Sequence, residues 1–522
     1  MMIDSEKLET AHIDDKDLAN LDSQIQEFED AAPKPGFFQY QFPSPKVATW
    51  FLASFASFGG LLSGVDQSVI SGANLFMPKD LGLDDQQSSL TNSAVPLGAV
   101  FGSLLITPAN EWFGRRNAIL ISLLLYTVGG ALEAAAMNYA MILSSRLILG
   151  AGLGLEGGTV PMYVAESAQS SVRGRLVSLY QLCIALGEVL GYAIAAMFVN
   201  VKGEWRYMLG SSLVFSTIMF VGVLFLPESP RWLMHKKREM DAYMSWRNLR
   251  GFGTDQDKME FFEMKHTAYY ELENANQDEK KHKWMDFFTN GRARRGLIYA
   301  NIMVALGQLT GINGIMYYMS TMMKMVGFND QDAVFMSLVG GGALLIGAIP
   351  AIMWMDRVGR RKWAISILPC CFVGLLLVGL AFLPGNSLVQ TEGLYLTGLL
   401  IYTLCFGPYA CLTWVLPSES YPTYLRSYGM TISSCLIFLF SFIITYNFTQ
   451  MVQSMTQIGT FLGFYGGIAF VGWIYQIFFM PETKDKTLEE LDLVFEMSTK
   501  DLMNQNIREC KDFIARFCGS RK

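Results

Sequence analysis

An aspartate, Asp66, stands inside "FGGLLSGVDQSVISG", a stretch otherwise apolar enough to lie in lipid. An ionisable side chain there costs about 3 kcal/mol or more unless it is paired or wetted, so an intramembrane acid is read first as functional. Two roles are open to it: taking up and releasing a proton, or holding a buried base in a permanent ion pair. A base is available in a second apolar stretch, at Arg146. On a helix, Gly59, Ser63, Asp66, Gln67 and Ile70 share one face, a narrow polar stripe that should point into a protein interior.

Two further groups of residues suit other tasks. Gln308 and Asn313 are amides separated by Gly311 and followed by Gly314, and such glycines permit a local helix break that exposes backbone to a cavity. Amides in that position can hydrogen-bond the hydroxyls of a small polar molecule, while Tyr317 and Tyr318, about one turn on, form an outer lid. The third group sits at helix ends. Arg115, Arg116, Glu166, Arg173, Glu228, Arg231, Asp356, Arg360, Arg361, Glu419, Arg426 and Glu482 are acids and bases spaced to bridge neighbouring helices as an inner gate. Their plainer reading is topological, since positive charge gathers at cytoplasmic turns. Glu156 and Glu188 lie deep in apolar stretches and rank below Asp66, and Glu133 is expected near enough to the outer surface to be solvated.

The elements that must hold these residues follow from composition. With 522 residues, 51% of them hydrophobic and only 16% charged, the chain reads as an all-α membrane protein. About twenty apolar residues cross a bilayer as a helix, and twelve such windows occur. They fall at 48–73, 90–108, 117–136, 140–164, 176–199, 206–226, 296–319, 333–354, 363–383, 393–416, 428–449 and 458–480. Asp66 and Arg146 then lie at a common depth, roughly 10 and 9 Å from the outer ends of the first and fourth windows. Lys and Arg cluster on one side of the predicted spans, at Arg115, Arg116, Arg173, Arg175, Arg357, Arg360, Arg361, Lys362 and Arg426, which makes both termini cytoplasmic.

The resulting domains are an acidic disordered tail (1–47), a six-helix bundle (48–230), a cytoplasmic linker with short helices (231–295), a second six-helix bundle (296–480) and a cytoplasmic tail (481–522). The halves repeat: "NEWFGRR" answers "MDRVGRR", Glu166 precedes Arg173 as Glu419 precedes Arg426, and "PESPRW" answers "PETKDKT". Duplicated bundles with a substrate path between them are a transporter architecture. Eight cysteines, mostly in spans, promise no disulfide framework. The four histidines lie in the tail and linker, with no metal constellation, nucleophile motif or phosphate loop, so no enzymatic activity, cofactor or nucleic-acid partner is expected.

Taken in order, "PESPR" from Pro227, "DRVGRR" from Asp356, "GQLTGINGIMYY" from Gly307, "LPSESYPTYLR" ending at Arg426 and "PETKDKT" from Pro481 resemble the sugar porter family of the major facilitator superfamily, its fungal members in particular, over residues 48–495. The resemblance implies a carrier in the plasma membrane that imports a sugar or polyol by alternating access, with a proton as partner and the lipid bilayer as its solvent. It places Gln181 and Trp414 as sugar contacts, and Asp66 with Arg146 as the proton site of proton-coupled plant relatives; proton-independent fungal facilitators also carry an acid there. Departures are Glu111 and Trp112 for an Asp–Arg pair, Gly307 for a glutamine, and Leu344 and Ile437 where sugar-binding asparagines are expected, which together make a less polar pocket. Other readings are a facilitator, a nutrient sensor, which would carry a longer C-terminal extension, and a drug:proton antiporter, whose Gly-Pro signature is missing from the fifth window.

Overall fold

Polar caps set where the helices on one face of the molecule begin. Asp84 and Gln87 form a reciprocal capping box, the Asp84 carboxylate accepting from the Gln87 N–H at 2.7 Å, and Ser387 with Gln390 repeats the device in the second half. Asn329 caps a third start by accepting from the Asp332 N–H at 2.8 Å. Each cap satisfies backbone donors that a helix start leaves open.

The computed structural model describes residues 15–31, 44–167, 173–275, 283–422, 425–484 and 494–519, and no strand occurs among them. Among the described residues the helices fall into twelve long stretches, a count consistent with twelve spans, of which ten, or eleven with one bent pair, are by length and composition apolar enough to cross a membrane. The first half holds α1 (Pro45–Ala73), α2 (Asp85–Leu104, bent by 49° into Ile106–Phe113), α3 (Arg115–Ala134), α4 (Tyr139–Ser167), α5 (Arg173–Phe198) and α6 (Glu204–Leu224). The second holds α7 (Gly291–Leu309, Ile312–Tyr317 and Met319–Val326), α8 (Asp330–Val358), α9 (Arg360–Ala381), α10 (Leu388–Ser420), α11 (Arg426–Ser454) and α12 (Thr456–Phe479). Several helices begin before their apolar windows because polar first turns continue the hydrogen-bond ladder outside the apolar layer.

Glycine pairs bring the helices of each half together. On α2, Gly98 and Gly102 face the carbonyls of Leu147 and Ala151, and on α4, Gly150 and Gly154 face those of Val95 and Ala99. A Cβ at any of the four would overlap the opposite backbone. This reciprocal small-xxx-small contact replaces a hydrophobic drive that lipid cannot supply. Gly347 on α8 against Leu404, and Gly407 on α10 against Leu344, repeat it in the second half. Between the halves α2 packs on α11 and α5 on α8, leaving α1, α4, α7 and α10 to present polar residues along the seam.

One face carries a helical layer between the halves: Pro230–His235, Glu239–Leu249 and Asp255–Ala275, with a small core around Tyr243, Trp246 and Phe261. The N-terminal segment expected to be a disordered tail is helical over Asp15–Ala31 and docks here. Phe28 stacks on Tyr243 at 5.2 Å, Asp22 pairs with Lys258 at 2.7 Å and Glu29 with Arg247 at 3.2 Å. Composition misled because it counts the acids without the bases that receive them. The rest of that tail, 1–14 and 32–43, lies outside the described residues. A C-terminal helix, Thr499–Gly519, packs on α12 of the same face.

Candidate functional site

Asp66 and Arg146 meet, as their common depth requires, but not alone. Arg146 is fully buried; its Nη1 lies 3.6 Å from an Asp66 oxygen and 2.5 Å from Glu133 Oε1, and its Nε donates to the Thr91 carbonyl at 2.8 Å. Glu133 is 1% exposed, so its expected solvation is corrected. It lies near the end of α3 but on the inward face, continuing the buried stripe Tyr126, Gly129 and Gly130 at helical spacing. That periodicity was the available signal; depth alone hid it. The group is two carboxylates around one guanidinium, with Asp66 the looser partner and its second oxygen unbonded. At 3.6 Å the Asp66 contact is an ion pair, beyond hydrogen-bond length.

The next residue along α1 reaches the other half. Gln67 Nε2 donates to Asn313 Oδ1 at 3.1 Å, and Asn313 Nδ2 in turn donates to Gln308 Oε1. Asn313 is turned this way by Gly311, whose φ of +91° breaks α7 and whose Cα packs so closely on the Tyr465 ring that a Cβ would overlap it. Gln181 and Trp414 also come together across the halves, Trp414 Nε1 donating to Gln181 Oε1 at 3.0 Å while Tyr180 meets the indole edge-on. Leu344 and Ile437 are both buried. Tyr317 and Tyr318 cover this seam: Tyr317 accepts through its carbonyl from Asn74 at 3.2 Å, and Tyr318 stacks on Phe448. Glu156 and Glu188 are buried, each with one oxygen lacking a partner, and Glu156 rests against Gly59.

On the face of the helical layer the repeated motifs form two matching clusters. Arg115 grips Glu166 with two bonds, 2.7 and 3.0 Å, and Ser229 adds a third to the same carboxylate. Arg360 holds Glu419 at 3.0 Å, with Thr483 in the place of Ser229. Glu228 and Glu482 act on backbone instead, each accepting from the first two N–H groups of a helix, those of Arg115 and Arg116 or of Arg360 and Arg361. Gly114 and Gly359, at φ of +89° and +100°, allow that approach. Arg116 donates to the Leu224 carbonyl and Arg361 to Ile477 and Glu509.

Glu166 lies just past the apolar stretch of α4, which ends at Val164. Burial pushes its carboxyl up, but Arg115, Ser229 and Arg231 outweigh this and hold it below the ordinary value. A depressed carboxylate contributes stability that is lost only as pH falls through its folded value, so this cluster is intact at neutral pH. The Arg115–Glu166 and Arg360–Glu419 pairs each join helices of a single half. A contact between the halves on this side is Thr107 with Thr431, 2.9 Å apart. Arg426 is partly buried at the start of α11, and the side chains of Arg173 and Asp356 lie outside the described residues.

A family model described as "Sugar (and other) transporter" matches residues 52–495. The myo-inositol transporter FST1 of Gibberella moniliformis is 62% identical over 90% of this chain and 83% of its own length. The human proton myo-inositol cotransporter is 28% identical (88% and 83%), and the arabinose-proton symporter of Escherichia coli K12 is 30% identical (85% and 92%). Among solved structures, the proton:xylose symporter XylE bound to 6-bromo-6-deoxy-D-glucose superposes with a TM-score of 0.75 at 24% identity, covering 87% of this chain and all of that one.

Proposed function

We propose a cargo and a coupling ion for this chain, which belongs to the sugar (and other) transporter family. It is an alternating-access carrier of sugars or polyols with the major facilitator fold. The cargo we assign is a cyclic polyol, myo-inositol first, and the coupling ion is a proton. One turn of α1 carries the reading: Asp66 faces Arg146, and the adjacent Gln67 bonds Asn313 across the halves.

With both acids ionised the buried group bears one net negative charge. A proton arriving on Asp66 neutralises it, and Arg146 keeps its shorter bond to Glu133. The base is therefore never abandoned in an apolar interior, where an unpaired charge is costly. Release of Asp66 lets α1 move against α7 at Gln67 and Asn313, so one turn responds to both proton and cargo. Gln181, Gln308, Asn313 and Trp414 supply donors and acceptors for ring hydroxyls, while Leu344 and Ile437 leave apolar wall for a C–H face. A 62% identical relative named a myo-inositol transporter supports the same cargo.

The face of the helical layer is cytoplasmic in this reading, both termini lie there, and the membrane is the plasma membrane. The two clusters then brace the inner rim while it is closed. Glu166→Gln removes the charge that Arg115 grips, and thiol alkylation of Cys435, seated against the Val100 carbonyl between the halves, should rise severalfold when read by mass spectrometry. Unchanged labelling would make the cluster topological only.

Uptake of labelled myo-inositol, D-glucose, D-xylose and sorbitol, with external pH recorded in weak buffer, tests the assignment. Alkalinisation on adding myo-inositol is expected. Uptake without any pH change would make the protein a facilitator, and uptake of another member of the panel alone would replace the cargo.

A further inference from the structure

On the face opposite the two clusters, a cavity of about 210 Å³ opens between the ends of α1 and α2 in one half and α7 and α11 in the other. Tyr318 and Phe448 line it as a stacked pair, centroids 5.2 Å apart and planes within 15°. Asn92, on α2, lines the same cavity and is fully buried, yet neither its Nδ2 nor its Oδ1 makes a hydrogen bond of good geometry, although the Tyr318 hydroxyl lies beside it. Asn74 Oδ1 lacks a partner, and the Tyr318 hydroxyl, beside Asn92, Thr449 and Ser89, makes no hydrogen bond of good geometry either. Buried polar groups are nearly always bonded, so polar side chains this loosely satisfied around one cavity leave room for a further partner.

We infer that this cavity is a second polyol site, outside the lid and weaker than the central one. The inference rests on the cargo class assigned above. An amide offers a donor and an acceptor, a phenol offers both on one atom, and Asn74 Oδ1 is a further acceptor. Vicinal hydroxyls, each donor and acceptor at once, match that set, and the stacked rings supply a face for ring C–H groups. Among the described residues no lysine or arginine lines the cavity to hold an anion, and the one acid that does, Asp85, is exposed, which leaves a neutral hydroxylated ring as the fitting occupant. Its position gives it a task. Asn74 already donates to the Tyr317 carbonyl at 3.2 Å, so a ligand bonded to Asn74 acts on the residue beside the Tyr318 lid. Cargo waiting here is next to the gate it must pass.

Equilibrium binding to the purified full chain in lipid nanodiscs, with labelled myo-inositol, D-glucose, D-xylose and sorbitol as probes, decides the matter. Two classes of site are expected for the transported probe, the weaker lost in Asn92→Leu and the tighter lost in Gln308→Ala. In cells, Asn92→Leu should raise the KM for influx by about tenfold, the scale of a lost hydrogen-bond pair, with Vmax unchanged. Asn92→Ser, smaller but polar, should weaken the same class less, which guards against a folding defect in the leucine variant. A single class of site for every probe, or two classes that survive Asn92→Leu, overturns the inference. Two-site binding of a probe other than myo-inositol, lost in part with Asn92→Leu, upholds it and overturns only the choice of cargo.

Discussion

Cells carrying Asp66→Asn should take up myo-inositol only to equality with the medium, where wild-type cells should accumulate it. Asparagine preserves the size of the side chain but cannot accept the proton. Arg146 retains Glu133 at 2.5 Å and Thr91 at 2.8 Å, so the fold should survive. The expected loss is large. One pH unit across the membrane is worth tenfold in concentration, and 100 mV adds about 2.3 kcal/mol per charge. A one-proton symporter under both can hold a ratio of about 500, and the variant should fall to one. Counterflow of labelled for unlabelled cargo needs no net proton movement and should persist. The measurement is the steady-state inside-to-outside ratio with and without an uncoupler. A variant that still concentrates cargo, and loses it to the uncoupler, would remove Asp66 from the proton path.

Much of this site was legible because its signals are local. The depth of Asp66 and Arg146 follows from counting along apolar helices, and the α7 break follows from Gly311 beside Asn313. The doubled motifs foretold that acids and arginines at these helix ends bridge neighbouring helices in both halves, but not that Glu166 meets Arg115 and Glu419 meets Arg360. What stayed hidden depends on direction and partners. Glu133 required its facing on α3, which the stripe from Tyr126 carries but its nearness to a helix end obscures. Glu228 and Glu482 resemble ion-pair partners in sequence; that they bond backbone N–H groups depends on the positive φ of the glycine before each helix. The docked N-terminal helix was invisible because its stability lies in bases more than two hundred residues away.

Arg146→Met should cost the protein more than any other single change, and the way it is rescued ranks the two acids. Removing the guanidinium leaves Asp66 and Glu133 buried together, at 2% and 1% exposure, and strips the Thr91 carbonyl of its donor. Deleting one member of a buried ion pair typically costs about 3–5 kcal/mol, because the remaining charge is uncompensated. Low surface expression and a clear fall in the thermal unfolding midpoint in detergent are expected. Neutralising an acid in the same background should restore part of the loss. If Glu133 is the resident partner, as 2.5 Å against 3.6 Å requires, Arg146→Met with Glu133→Gln should recover more than Arg146→Met with Asp66→Asn. The triple variant, neutral throughout, should recover most, since a buried ion pair replaced by uncharged groups of like volume is often neutral or stabilising. Neither variant that carries Asp66→Asn should concentrate cargo, for the acid that changes charge would be gone. Equal rescue by the two acids would mean that Arg146 is shared evenly, and that Asp66 is held too firmly to exchange its proton apart from Glu133.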